Sequence, residues 1–161
     1  DTKLENMPDQ TPTDRSISPE TYIGSMRMLY LSGSGKADNG KQDFTLDDHL
    51  DMNHFSLGGS WDIEDEYSIA GKNATLNYNF NASKVYLVMR PGSAKNAQVK
   101  VYLDGKLIDA KSAGPDVKNG IVNVDSDRLY NLVDFKDKTE RHILKLEYVT
   151  PGVEVFAFTF G

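Results

Sequence analysis

Apolar and polar residues alternate along most of the chain from Phe55 onward, which is the pattern of strands with one buried face. Leu76, Tyr78 and Phe80, for example, alternate with threonine and asparagine residues. Such a segment packs its apolar side on a core and exposes its polar side, as strands of antiparallel sheets commonly do. The pattern therefore predicts an all-β fold.

The same pattern continues to the C-terminus and predicts about nine or ten strands. Residues 84–90 are predicted to pair with the strand before them, and residues 98–103 lead into Asp104-Gly105, a dipeptide typical of two-residue hairpins. Further strands are predicted at residues 121–124, 128–135, 142–149 and 153–160. The last of these is so apolar that it must be buried in a sheet. Short strands at this turn-punctuated spacing predict a jelly-roll β-sandwich of two antiparallel sheets.

The N-terminal third is less regular. Residues 1–17 are polar and aperiodic and contain two prolines, which is typical of a linker or a surface arm, so the sandwich domain is predicted to span residues 18–161. Ser18 as a helix cap and Pro19 at the first helical position predict one helical turn before a first strand at residues 26–31. Residues 32–42 are predicted to form a loop. Residues 44–54 fit either a short helix or an irregular crossing.

Length and charge exclude several classes of protein. A chain of 161 residues is one domain by length and buries about 70% of its unfolded surface without a metal or a disulfide. The net charge of −6, with scattered basic residues, argues against nucleic acid and anionic membranes as partners. There is no cysteine, and no apolar run approaches the ~20 residues that span a bilayer. Because the chain begins at Asp1, we expect it to be a piece of a longer protein.

An acidic segment before residue 55 is the only local cluster in the sequence with metal-ligand character. Its candidate ligands are Asp43, Asp47, Asp48, His49, Asp51 and His54. Carboxylates and imidazoles bind calcium or zinc, and a structural calcium at Asp47, Asp48 and Asp51 is one interpretation. The segment lacks the spacing of an EF-hand and the HExxH motif. A solvated acidic loop is the alternative.

The sequence shows no catalytic motif. Glu64, Asp65 and Glu66 are adjacent, so they cannot all face one way on a strand and are typical of a turn rather than an acid–base pair. There is no G-x-S-x-G nucleophile motif, and the Gly/Ser segment at residues 32–35 lacks the lysine and helix of a phosphate loop. We predict that the chain is not an enzyme and carries no catalytic cofactor.

Aromatic residues on the outer faces of strands are the remaining candidates for a binding site. By alternation Tyr86 and Tyr102 project away from the core, together with Arg90 and Lys100. Flat rings flanked by hydrogen-bonding groups suit sugars, so these four residues are predicted to form one ligand-binding patch. The alternative is that the rings pack beneath a covering loop. Trp61, the single tryptophan, is a further candidate ligand contact, with a core or edge anchor as its alternative.

Six motifs, in this order along the chain, resemble one family. They lie at residues 18–24 (Ser-Pro-Glu-Thr-Tyr-Ile-Gly), 59–61 (Gly-Ser-Trp), 85–89 (Val-Tyr-Leu-Val-Met), 101–105 (Val-Tyr-Leu-Asp-Gly), 128–133 (Arg-Leu-Tyr-Asn-Leu-Val) and 151–161 (Pro-Gly-Val-Glu-Val-Phe-Ala-Phe-Thr-Phe-Gly). Together they resemble the C-terminal domain of DipZ-like proteins. In that family an extracytoplasmic thioredoxin-like domain is followed by a sandwich similar to carbohydrate-binding modules.

The resemblance implies a non-catalytic accessory domain in the periplasm or cell envelope, with the Cys-X-X-Cys chemistry in a preceding thioredoxin-like domain. Residues 1–17 would then be the inter-domain linker. The implied partners are that adjoining domain, a glycan such as peptidoglycan, or a substrate protein, with no nucleic acid and no membrane insertion. A structural or protein-docking module without a small ligand is the alternative. The resemblance supplies no ligand residues, so Tyr86, Tyr102, Arg90 and Trp61 are predicted from alternation and chemistry alone.

Overall fold

The alternating pattern corresponds to thirteen strands in the part of the chain that the computed structural model describes, residues 16–33 and 36–161. In chain order they are β1 (Thr21–Tyr22), β2 (Gly40–Phe44), β3 (Phe55–Ile63), β4 (Ser68–Ala70), β5 (Ala74–Ala82), β6 (Lys84–Arg90), β7 (Ala97–Leu103), β8 (Lys106–Leu107), β9 (Val117–Lys118), β10 (Ile121–Val124), β11 (Arg128–Asp134), β12 (Glu140–Tyr148) and β13 (Glu154–Phe160). Two 3₁₀ turns lie at Ser25–Arg27 and Gly92–Ala94. Of the described residues, none belongs to a helix long and apolar enough to cross a membrane.

The strands form two antiparallel sheets that pack face to face as a jelly-roll sandwich. Sheet A has the order β11-β6-β13-β4-β3-β2, with β1 beside β13, and sheet B has the order β3-β5-β12-β7-β10-β9, with β8 beside β7. Strand β3 belongs to both sheets, because residues 55–58 pair with β5 while residues 59–63 pair with β2 and β4. The strand changes sheets at Gly59, whose φ of +80° is accessible to glycine at little steric cost.

The core between the sheets contains the apolar positions that the alternation predicted to be inside. Leu76, Tyr78 and Phe80 of β5 are fully buried. The fully buried residues of β6 and β7 include Val85, Leu87, Met89, Val99 and Val101. In the terminal strand Phe158 is fully buried, and its ring centroid lies 5.2 Å from that of Tyr78. The prediction that the C-terminal segment belongs to a sheet is therefore confirmed.

The predicted hairpin at Asp104-Gly105 is also confirmed. These two residues join β7 to β8, with Tyr102 opposite Leu107. Both turn residues have positive φ, +53° and +85°, as a two-residue turn that matches the strand twist requires.

The predicted pairing of β5 with β6 is wrong. Strand β5 pairs with β3 and β12 in sheet B, whereas β6 pairs with β11 and β13 in sheet A. The chain crosses between the sheets at Ser83, whose amide donates to the carbonyl of Gly161 at 2.8 Å and whose hydroxyl donates to the carbonyl of Lys136 at 2.5 Å. Alternation shows which side chains are buried, but it does not show which strand lies alongside.

The start of the domain also differs from its prediction. Residues 18–22 form no helical turn, because the hydroxyl of Ser18 donates to the Asn53 side chain at 2.6 Å and accepts the Asn81 amide at 2.9 Å instead of capping a helix. Residues 26–31 do not form a strand; Leu31 makes only a single bridge to Phe55.

The neighbouring boundaries follow from these differences. The predicted loop at residues 32–42 ends early, since β2 begins at Gly40, and residues 45–54 are an irregular crossing. The predicted linker at residues 1–17 lies outside the described residues except for Ser16 and Ile17.

Candidate functional site

The four-residue patch predicted from alternation is divided between the two outer faces of the sandwich. Tyr86 and Arg90 lie on β6 in sheet A, whereas Lys100 and Tyr102 lie on β7 in sheet B. Both strands bury their alternate residues in the shared core, so their outward residues point to opposite sides of the molecule. All four residues are outward and half-buried, as predicted. They do not form one patch, however, and the prediction of a single patch is wrong.

Trp61 is a core residue. Its side chain is fully buried, its indole N–H donates to the carbonyl of Gly58 at 3.0 Å, and its ring packs edge-on against Tyr148 with centroids 5.4 Å apart. No face of the ring is available to a ligand. Its inclusion among the candidate ligand contacts was therefore wrong, and the alternative of a core anchor is correct.

The outer face of sheet A carries aromatic and aliphatic side chains on and beside β11, β6 and β13. The sheet A face, as we call it, comprises Tyr22, Tyr67, Tyr86, Val88, Leu129 and Phe156. Leu129 lies opposite Val88 in the register and is 44% exposed, and the other five are half-buried. Residues of this kind concentrate at the centres of protein interfaces.

Phe156 reaches this face through a β-bulge. The register of β13 against β6 shifts between Val155 and Ala157, so Phe156 has no partner of its own and is half-buried while both neighbours are buried. The sequence pattern missed this residue, because a strand that is apolar at nearly every position shows no local signal for the side on which an extra residue emerges.

Arg90, the last residue of β6, lies beside two of the aromatic rings on the sheet A face. Its Nε donates to Glu154 Oε1 at 2.5 Å, and its guanidinium carbon lies 4.8 Å from the ring centroid of Phe156 and 5.3 Å from that of Tyr67. The hydrogen bond to Glu154 raises the pKa of Arg90, so the side chain stays charged. Since the side chain is 39% exposed, the face presents a positioned cation among rings.

A cleft of about 360 Å³ opens on the same face beside β1. Tyr22, Val88 and Phe156 line it, and Met26, which is 69% exposed, stands at its rim. The Arg27 guanidinium covers one side of the Tyr22 ring at 3.7 Å from the centroid. The cleft is mainly apolar, with charged groups at the edge.

Gly24 sets the shape of this cleft. A Cβ at this position would lie 2.3 Å from the backbone carbon of Glu66 and 2.4 Å from the Asp65 carbonyl oxygen. Only glycine therefore allows the Asp65-Glu66 turn to approach β1 and form the acidic rim.

The outer face of sheet B is polar around Tyr102. Its hydroxyl donates to Glu147 Oε1 at 3.1 Å, and the Lys145 ammonium lies 5.6 Å from the ring centroid. In the register, Lys145 lies opposite Tyr102 and Glu147 opposite Lys100. Burial and the bond to Glu147 raise the pKa of Tyr102, so the phenol stays protonated. We call these four residues the sheet B face.

The predicted metal ligands do not converge. The Asp47 carboxylate accepts a hydrogen bond from the Ser32 hydroxyl, and Asp51 lies 3.0 Å from Nε2 of His49. Over residues 16–33 and 36–161, no group of three or more histidine, aspartate and glutamate side chains could hold a metal ion. The structural calcium at Asp47, Asp48 and Asp51 has no support from this geometry and stays a prediction.

His142 occupies a carboxylate clamp that the sequence did not reveal. Its Nε2 lies 2.7 Å from Glu140 Oε1, and its Nδ1 bonds to the Asp104 carboxylate. Burial alone would lower the pKa of His142, but the bonds to Glu140 and Asp104 outweigh it and the pKa is raised. The clamp ties β12 to the β7–β8 hairpin. Both ring nitrogens of His142 bond to carboxylates and neither bonds to a serine or threonine hydroxyl, so the clamp is not a catalytic triad.

Comparison with known proteins assigns the domain. Residues 18–161 match the family described as the thioredoxin-like C-terminal domain. The chain belongs to this family. Protein DipZ of Mycobacterium bovis and Protein DipZ of Mycobacterium tuberculosis are each 28% identical to it over 155 residues, which cover 96% of the chain. The chain spans about a fifth (20%) of the length of these relatives.

Two solved structures are similar to part of this thioredoxin-like C-terminal domain. One is a family two carbohydrate esterase from Clostridium thermocellum in complex with cellohexaose, with a TM-score of 0.48, 16% identity, and coverage of 63% of this chain and 29% of the esterase. The other is a family two carbohydrate esterase from Cellvibrio japonicus, with a TM-score of 0.45, 11% identity, and coverage of 88% and 33%. These likenesses are too distant to carry an argument about ligands.

Proposed function

We propose that this thioredoxin-like C-terminal domain is a non-catalytic accessory domain of an extracytoplasmic thiol-disulfide protein, and that it docks the thioredoxin-like domain of that protein. Family membership supports the accessory role, and the DipZ relatives have most of their length outside the matched region. The chain has no cysteine, so the dithiol chemistry must belong to another part of the parent protein. The contribution of this domain is binding.

The observation that carries the docking proposal is the sheet A face. Two of its rings, Tyr67 and Phe156, contact the charged Arg90, and the face continues into an apolar cleft with the exposed Met26 at its rim. Tyrosine, phenylalanine, methionine and arginine are the residue types enriched at protein interfaces, and contiguous exposed apolar surface marks interaction sites.

The position of the N-terminal strand also favours the adjoining domain as the partner that binds the sheet A face. Strand β1 begins at Thr21, three residues after the start of the matched family region, and its Tyr22 lines the cleft. A domain joined to the N-terminal side would therefore be tethered close to the sheet A face. Tethering raises the effective concentration of such a partner to the millimolar range for a short flexible linker, so even a modest interface would be occupied.

The test measures binding of this chain to the separately produced thioredoxin-like domain of its parent protein, by titration calorimetry. We expect Leu129→Asp and Tyr86→Ala to weaken binding at least about tenfold, since the first places a charge on an exposed apolar residue of this face and the second removes one of its rings. Tyr102→Ala, on the opposite face, is the matched control and should leave binding unchanged. Equal binding by all variants, or no binding by the unmodified chain, would refute docking through this face.

Carbohydrate binding is a second candidate function, favoured by the sheet B face. A half-buried ring surrounded by an ammonium, a carboxylate and a second lysine offers both stacking and hydrogen bonds to a sugar. A glycan panel with peptidoglycan fragments, measured with and without calcium, tests it. Saturable binding that is lost in Tyr102→Ala and kept in Tyr86→Ala is the expected result, and binding that survives Tyr102→Ala would exclude this face.

A further inference from the structure

A further cleft lies at the edge of the sandwich where β3 changes sheets, and it shares no lining residue with the cleft of the sheet A face. It is a cleft of about 390 Å³ bounded by Leu31 and Ser32, by residues 36–38, by β2 and by the start of β3. Its base is apolar, formed by Leu31, Phe44 and Leu57. The volume lies within the range of about 300–1,000 Å³ that is usual for small-molecule sites.

The polar walls of this cleft are held in place by hydrogen bonds among its own residues. The Ser32 hydroxyl donates to Asp47 Oδ2, while the backbone amide of Asp47 donates to the buried Ser56 hydroxyl at 2.9 Å. The Ser32 hydroxyl thus orients the Asp47 carboxylate, and the hydrogen bond to Ser56 anchors the Asp47 backbone to β3. Groups positioned before a ligand arrives lose less entropy on binding.

Gln42 is positioned in the same way on the opposite wall. Its Nε2 donates to the carbonyl of Asp38 at 2.5 Å and approaches that of Gly40 at 3.4 Å. Because the amide nitrogen is engaged within β2 and its preceding turn, the side-chain carbonyl oxygen is the group that Gln42 offers to a ligand.

The charges on the walls indicate the class of ligand. Asp38 and Asp47 supply carboxylate acceptors, while Thr45 supplies a hydroxyl donor. This mixture is unsuited to an anion, and the cleft lacks the three acidic or histidine side chains that would hold a metal ion within the described chain. Vicinal hydroxyl groups, by contrast, donate to carboxylates and accept from the threonine hydroxyl while their carbon skeleton lies on the apolar base.

We infer that this cleft binds a small, neutral, polyhydroxylated ligand, of the size and chemistry of one sugar unit. Asp47 and Gln42 accept hydrogen bonds from its hydroxyls, and Phe44 contacts its apolar side. The inference does not depend on docking through the sheet A face or on glycan binding at the sheet B face. It also gives Asp47, first considered as a metal ligand, a role that its hydrogen bonds support.

The experiment titrates the ¹⁵N-labelled 161-residue chain with N-acetylglucosamine and, separately, with methyl β-glucoside, and follows amide shifts. We expect saturable shifts at Ser32, Gln42 and Asp47 at millimolar concentrations. Asp47→Asn and Gln42→Ala should each weaken the affinity at least about fivefold. Asp137→Asn, an exposed carboxylate on the β11–β12 connection, is the control and should bind like the parent. Amide spectra of each variant show whether it is folded. If Asp47→Asn does not fold, Gln42→Ala still tests the inference.

Each other outcome overturns the inference in a distinguishable way. No saturable shift at tens of millimolar of either sugar excludes the cleft as a polyol site. Shifts confined to β7 and β12 would place sugar binding on the sheet B face and leave that proposal standing. Shifts on β6 and β13 would place it on the sheet A face instead. A parallel titration with calcium chloride that moves the cleft amides while the sugars do not would show a cation site.

Discussion

At the scale of single residues, His142 makes stability depend on pH in a direction that its contacts determine. Both ring nitrogens face carboxylates, so only the protonated ring donates to both. Its pKa is raised in the folded state, so its stabilising effect is complete below the unfolded value near 6.5 and is lost as the pH rises through the higher folded value. The pKa of Asp104 is lowered, despite burial, by the Ile143 amide and by His142, so its own effect is lost only in acid.

We therefore expect the free energy of unfolding to fall between pH 6 and pH 8.5 by roughly 0.5–1 kcal/mol through this residue, a small value because solvent screens the partly exposed pair. Urea unfolding of the parent and of His142→Gln at both pH values measures it. The unmodified chain should have a higher free energy of unfolding than His142→Gln at pH 6, and this difference should disappear at pH 8.5. An advantage of equal size at both values would show that the clamp does not titrate in this range.

Trp61 carries the second prediction at this scale, because its fully buried ring is a packing element. Trp61→Ala should destabilise the fold by about 3–5 kcal/mol, as large-to-small changes of buried aromatics do. Tyr102→Ala is the matched control; it removes a half-buried ring from an outer face and should cost about 1 kcal/mol or less. Chemical denaturation of both variants gives the comparison, and similar losses for the two would contradict the assignment of Trp61 to the core.

At the scale of strands, the corner in β3 decides how the two sheets meet. Gly59 has a φ of +80°, and a Cβ there would lie 3.2 Å from the Cα of Ala74. Gly105 has a similar φ of +85°, but a Cβ there would meet nothing within 4 Å. The two positions therefore share the backbone strain of a left-handed residue and differ in the packing around it.

We expect Gly105→Ala to cost about 1–2 kcal/mol, the usual penalty for a side chain in the left-handed region. Gly59→Ala should cost more, since the Ala74 backbone must also move away. Thermal unfolding of the two variants measures the difference. If Gly59→Ala proved no more costly than Gly105→Ala, the close approach of β5 would not constrain the corner.

Strands also show what the sequence can and cannot predict. Alternation correctly placed Tyr86 and Tyr102 outward, and the Asp-Gly dipeptide correctly predicted the β7–β8 hairpin, because both depend on local geometry. The crossing at Ser83 depends on hydrogen bonds to Lys136 and Gly161, which are distant in the sequence. A hairpin and a crossing of this length show the same alternation, so the sequence could not distinguish them and the predicted β5–β6 pairing was wrong. Because β6 lies in sheet A and β7 in sheet B, the prediction of a single binding patch was wrong too.

At the scale of the whole molecule, the sandwich presents two outer faces of different chemistry joined by one core. The sheet A face is aromatic and contains a cleft, whereas the sheet B face is polar. The bulge at Phe156 and the close approach at Gly24 shape the sheet A face. Both depend on contacts between distant segments, which explains why the sequence indicated candidate rings but not the surface that they share.

Docking in the parent protein should be visible as added stability of this domain. A partner that binds only the folded state raises the free energy of unfolding, and tethering keeps that partner at high effective concentration. We expect this domain to be more stable within the parent protein than alone by on the order of 1–3 kcal/mol, as measured by hydrogen exchange of the buried amides of β6 and β13. Leu129→Asp should abolish the difference, because it places a charge beside Val88 on the sheet A face. Tyr102→Ala should preserve it, because that ring lies on the other side of the sandwich. If exchange in the isolated chain and the parent protein were the same, the two domains would fold and act independently, and the half-buried rings of the sheet A face would require a different partner.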